Sequence, residues 1–174
     1  VKIILYAVMG LTVIAALGQI RDPSSVGVFL GAMEDGDAYV RLEAVKALGV
    51  MSGPAAAAGL RSALNDGEIS VSLQAAMALT SQGSSAWVPT VLRALKHDKT
   101  IVRQQAAALL GAAGDAAAAA ALEDALKAEK DPGTKVLMEA ARKQIKSRLG
   151  VAVPAAVTAK PKVKAVAPSP RKKP

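Results

Sequence analysis

The stretch from Asp37 to Asp66 reads DAYVRLEAVKALGVMSGPAAAAGLRSALND. Val40, Ala44, Ala47 and Leu48 stand at i, i+4, i+7 and i+8, which gathers them on one helical face. Ala57, Leu60 and Leu64 do the same at i, i+3 and i+7. Gly53-Pro54 separates the two runs, with glycine past one helix end and proline just inside the next start. No alternating β-branched run occurs between turns, and alanine, the best helix former, dominates. The stretch therefore predicts two helices joined by a tight break.

The same pattern recurs along the chain. Val40, Val71 and Val102 are 31 residues apart, and Ala44, Ala75 and Ala106 keep that register, as do Leu48, Leu79 and Leu110. The other helix agrees: Phe29, Leu60, Val91 and Leu122 follow the period of 31, and so do Met33, Leu64, Leu95 and Leu126. A last copy is offset by three, Val136, Glu139 and Ala140 answering Val102, Gln105 and Ala106 at 34, with KAEKD at 127 to 131 as the insert. Breakers at Asp22-Pro23, Gly83-Ser84-Ser85, Gly114-Asp115 and Asp131-Pro132-Gly133 mark four helix pairs, at 23–49, 54–80, 85–111 and 115–149. A unit of about 31 residues cannot bury its own apolar face, so the pairs must stack. The expected fold is all-α: an α-solenoid of about four stacked helix pairs.

The runs Asp37, Val40, Arg41, Ala44, Ala47, Leu48, Gly49 and Asp98, Val102, Arg103, Ala106, Leu110, Gly111 resemble HEAT-like repeats related to the phycobilisome lyases, as does Ala86-Trp87-Val88-Pro89. The resemblance covers residues 20 to 149 and implies a solenoid of HEAT-like repeats. The middle copy departs from it, with Ser72 in place of the arginine and Thr80 in place of the glycine. Nothing in the chain matches a catalytic position of the lyases. HEAT-like hydroxylases bind iron through repeated His-Glu pairs, and no such pair occurs here.

Three regions follow from composition. Residues 1–19 are apolar, uncharged from Ile3 to Leu17. They read either as a signal peptide or anchor, with Lys2 at its start and Ala16-Leu17-Gly18 before a cleavage site, or as a half-repeat cap in register with Ala47, Leu48 and Gly49. Four complete pairs without this segment favour the signal, hence a periplasmic, secreted or membrane-anchored protein over a cytoplasmic one, with membrane contact through this segment. Val1 fits an alternative start codon or a fragment. Residues 20–149 form the repeat domain. Residues 150–174 form an Ala/Pro/Lys tail expected to be disordered. All 14 acidic residues precede residue 150 and six of the 22 basic ones follow it, so only +2 of the formal +8 belongs to the rest of the chain. With aromatics at 2%, the core must be built of Ala, Leu and Val.

The inventory of reactive groups is thin. With no cysteine and one histidine, thiolate chemistry, disulfides and zinc-finger sites are excluded, and no metal or cofactor is expected. His97 reads as a helix-end residue, and the glycines as helix terminators with no phosphate-loop pattern around them. These features predict that the protein is not an enzyme. Arg41 and Arg103 are expected to form a ladder with turn carboxylates such as Asp37, Asp66 or Asp98. A step of 100° per residue turns Leu42, Glu43 and Lys46 outward, with Leu73, Gln74 and Met77, then Gln104, Gln105 and Ala108, then Met138, Glu139 and Arg142 as counterparts. That row predicts a concave surface that holds another protein, the function expected being a non-catalytic scaffold. Trp87, in the place of Ser25, Ala56 and Ala118, is either an anchor for the partner or the filler of a gap. The alternative function is weak, non-specific polyanion binding (nucleic acid, anionic lipid or envelope polymer) by Lys160, Lys162, Lys164, Arg171, Lys172 and Lys173.

Overall fold

Residues 16–150 are described by the structure, a computed structural model. After helical residues 16–20 and a 3-10 turn at Pro23–Ser25 come α1 (Val26–Ala32), α2 (Ala38–Gly49), α3 (Pro54–Ala63), α4 (Ile69–Ser81), α5 (Val88–Ala94), α6 (Thr100–Ala113), α7 (Ala116–Ala128) and α8 (Pro132–Arg148). No strand occurs among the described residues. The pairs α1/α2, α3/α4, α5/α6 and α7/α8 are the four repeats. Local chemistry sets their ends. The Asp37 carboxylate accepts the Tyr39 N–H at the start of α2, Asp115 caps α7 and Asp131 caps α8. Gly53 has φ +116°, a conformation that costs other residues strain, and delivers Pro54 to the first turn of α3.

Equivalent residues have equivalent surroundings. Phe29, Leu60, Val91 and Leu122 of the first helices are fully buried, as are Ala44, Ala75, Ala106, Leu48, Leu79 and Leu110 of the second helices. Each buried leucine contributes about 1.5–3 kcal/mol, while the alanines let backbones approach. A Cβ built on Gly49 would lie 2.9 Å from the Ala78 Cβ, and one on Gly111 would lie 2.9 Å from that of Ala141. Gly18 meets Ala47 in the same way at 3.0 Å, so residues 16–20 stack on α2 as α2 stacks on α4. Neighbouring second helices touch more extensively than neighbouring first helices. That is how the inner row of a curved stack packs.

The last repeat corrects the expected register. The residues preceding the second helices are Asp37, Glu68, Lys99 and Asp131, at intervals of 31, 31 and 32, so the offset is one residue and not three. Val136 and Ala140 are consequently exposed, whereas Met138 and Ala141 are buried. The added length extends α7 to Ala128 and leaves Glu129 in the turn. Glu139 is exposed where Val45, Ala76 and Ala107 are buried.

Residues 1–15, on which the signal or anchor reading largely falls, and 151–174, the tail, lie outside the described residues. Among the described residues no helix is long and apolar enough to cross a membrane.

Candidate functional site

Two arrays of side chains repeat along the stack. The first is a set of rungs at the turn edge. Arg41 donates through Nε and Nη2 to Asp66 at 2.8 and 2.9 Å, and through Nη1 to the carbonyls of Asp35 and Gly36. Arg103 does the same two periods further on, to Glu129 at 2.6 and 2.9 Å and to the carbonyls of His97 and Asp98. Each guanidinium ties its own turn to the next repeat's turn by a bidentate pair. The Arg41 hydrogen bonds hold the Asp66 carboxyl below its ordinary range. Those of Arg103, helped by the N–H groups of Asp131 and Lys130 against the pull of burial, bring Glu129 down to about 2. The expected ladder partners are thereby corrected: Asp37 caps α2 and Asp98 offers its backbone carbonyl, while Glu129 carries the second rung. Glu129 is hidden in sequence because it sits inside the insertion, one residue out of register.

The second array is the outward face of the second helices. Tyr39, Met77, Ile101, Val136 and Leu137 are the large exposed apolar residues within these helices, whereas the first helices expose only Val28. Tyr39 and Ile101 share one position, and with the corrected register Met77 and Leu137 fall seven and four residues beyond it, a single stripe, whereas Val136 falls three beyond it, on the side that faces along the stack. Of the residues expected on this face, Lys46, Met77 and Gln105 are exposed. Glu43 and Gln74 are half-buried, and Glu43 pairs with Lys46 at 2.6 Å.

Several of the expected contact residues are corrected. Leu73 is only 4% exposed, and Leu42 packs against the core. Gln104, in the same position, donates to Thr134 Oγ1 of α8 at 3.1 Å. This position points along the stack into the next second helix, which a wheel drawn on an isolated helix does not include. Val136 is exposed there because no fifth helix pair follows it among the described residues. Met138 is fully buried in the core. Trp87 is 2% exposed, inside the core at the entry to α5, and cannot anchor a partner. His97 is half-buried in a turn, its Nδ1 accepting the Lys99 N–H at 3.1 Å. Lys160, Lys162, Lys164, Arg171, Lys172 and Lys173 lie outside the described residues.

A family model of HEAT repeats matches residues 9–71 and 57–142. The chain belongs to the HEAT-repeat family. The match is to HEAT repeats as such and does not single out the lyase-related branch. Comparison with curated proteins finds no match. Among solved structures the HEAT-repeat chain is similar to human deoxyhypusine hydroxylase in complex with glycerol, with a TM-score of 0.55 and 26% identity over 73% of this chain. It spans only 44% of that enzyme's length. This likeness overturns the expectation that the protein is not an enzyme, because a structure of the same architecture carries an enzymatic activity. An inventory of local motifs fails here for a physical reason: a solenoid gathers groups from separate repeats, and its fold does not fix its chemistry.

Proposed function

We infer that this HEAT-repeat protein is a binding module whose second-helix face holds an apolar helix or extended segment of another protein. The stripe of Tyr39, Met77, Ile101 and Leu137 supports this reading, since exposed apolar side chains are concentrated on one row of helices and nearly absent from the other. Rungs and small-residue contacts hold the first two repeats together and the last two together, so each half of the stripe is presented on a preformed surface. Met77→Asp and Ile101→Asp test it. Both side chains are more than half exposed, at 54% and 58%, so stability should change by no more than about 0.5 kcal/mol. Capture of the native partner should be lost, and capture that survives in the doubly substituted protein defeats the reading.

The likeness to deoxyhypusine hydroxylase favours a second reading, in which the docked segment is also a substrate. Among the described residues no three His, Asp or Glu side chains gather as metal ligands would. They do not fit an iron site of the His-Glu kind. Mass spectrometry of a partner segment before and after incubation with the full chain separates the readings. A changed mass means catalysis, and an unchanged mass means docking alone.

A further inference from the structure

The rung between the second and third repeats is missing. Ser72 occupies the place of Arg41 and Arg103, and His97 that of Asp66 and Glu129. Ser72 Oγ donates to the Asp66 carbonyl at 3.0 Å, reaching one of the acceptors an arginine would take. What remains is a notch of about 150 Å³ lined by Asp66, Ser72, Thr90, Arg93 and His97, among others.

Four of these five residues depart from the repeat together. Besides Ser72 and His97, Thr90 stands where Gly59 and Ala121 do, and Arg93 where Ser62 and Asp124 do. All four bring hydrogen-bonding groups, and none is acidic. Ser72 and Thr90 are 2% and 5% exposed, so the notch has a built polar floor. Thr90 Oγ1 donates to the Leu64 carbonyl at 3.2 Å and accepts from Arg93 Nη2 at 3.4 Å, which steadies the guanidinium beside the notch. Because His97 Nδ1 accepts the Lys99 N–H, the neutral ring carries its proton on Nε2 and donates from there. The one acid, Asp66, is engaged, both oxygens accepting from Arg41 and Oδ1 also from the Glu68 N–H. Among the described residues Arg93 has no ion-pair partner, so the free polar capacity of the notch is that of donors around a positive charge.

We propose that this notch binds a carboxylate, received by the Arg93 guanidinium and the His97 imidazole. An arriving cation would meet Arg93 with no free acid to offset it. A carboxylate gains charge-assisted hydrogen bonds and supplies across this junction the ion pair that the flanking junctions build from their own side chains. Its source is an acidic side chain of a docked segment or a free carboxylic acid, and the chemistry is shared. The proposal does not rest on the apolar stripe.

His97 is the only histidine in the chain, so its ring protons are a single-site NMR reporter. The full chain is titrated with acetate, with N-acetylglutamate and with a capped pentapeptide containing one glutamate. The His97 signals should move saturably, with the peptide binding more tightly than the small acids if a docked segment is the source, and no more tightly if a free acid is. Arg93→Ala should weaken the response at least about tenfold. Ser72→Asp, which puts a competing carboxylate in the notch beside Arg93 but keeps the reporter, should abolish it, whereas Lys143→Ala should leave it unchanged. Circular dichroism verifies that each variant is folded. The proposal falls if the native chain gives no saturable shift, if saturation persists in both Arg93→Ala and Ser72→Asp, or if N-acetylarginine amide binds instead.

Discussion

Glu129 shows how one side chain can carry a junction. Its carboxylate is nearly buried (2% exposed), is paired twice with Arg103, and also accepts the N–H groups of Lys130 and Asp131. Glu129→Gln should cost about 3 kcal/mol, because it leaves the Arg103 guanidinium partly buried without its counter-charge. Chemical denaturation measures this. The pH dependence has a definite sign. The folded-state pKa lies below the unfolded one, so the stabilisation is complete above the ordinary glutamate range and is lost as pH falls from 4.5 towards about 2. Asp66 adds to the loss in the same direction. Stability measured across that window should fall less steeply in Glu129→Gln than in the native chain. Gly111→Ala tests the close packing: the new Cβ would stand 3.0 Å from the Ala141 Cα, which is backbone and cannot swing away. It should destabilise by about 1–3 kcal/mol despite the gain in helix propensity. At this scale Arg41 and Arg103 were legible in the sequence as paired residues, because they recur in register. Their true partners were only half legible, since Asp66 keeps the period and Glu129 does not.

At the scale of elements, the helices could be read from the chain because apolar spacing and breakers agree. The period of 31 placed Leu48, Leu79 and Leu110 in one kind of environment, and all three are fully buried. In the last helix Val136 and Ala140 resemble the motif while Met138 and Ala141 fill the core, so residue type alone points to the wrong register. The cap is the better guide. Asp131 accepts from both Thr134 N and Thr134 Oγ1 at 2.7 Å, fixing where α8 begins. Asp131→Ala should cost about 1 kcal/mol, with amide exchange accelerated in the first turn of α8 and unaltered in α2. Leu73 marks the limit of helix-wheel reasoning. The outward side of a lone helix becomes an inward side once a neighbour stacks against it.

For the molecule as a whole, stability is a sum over neighbouring repeats, and the sum is uneven. Gly49 meets Ala78 and Gly111 meets Ala141, but the corresponding pair between α4 and α6 is Thr80 and Leu109, at the junction that also lacks a rung. Hydrogen exchange should therefore be fastest where α4 faces α6, and joint Ser72→Arg and His97→Asp substitution should slow it. Equal protection at all junctions would contradict this. The working surface was legible in part: the row of second helices and Met77 followed from periodicity. Tyr39 and Ile101 needed the observed exposure, and Leu137 needed the corrected register as well. The most direct measurement of whether that row is the working surface is site-specific photo-cross-linking in the native host. A photoreactive residue at Met77, Ile101 or Leu137 should trap a partner, and one at Ala58 or Ala120 on the first helices should not. Adducts formed from the first helices alone, or equally from both rows, would contradict the account.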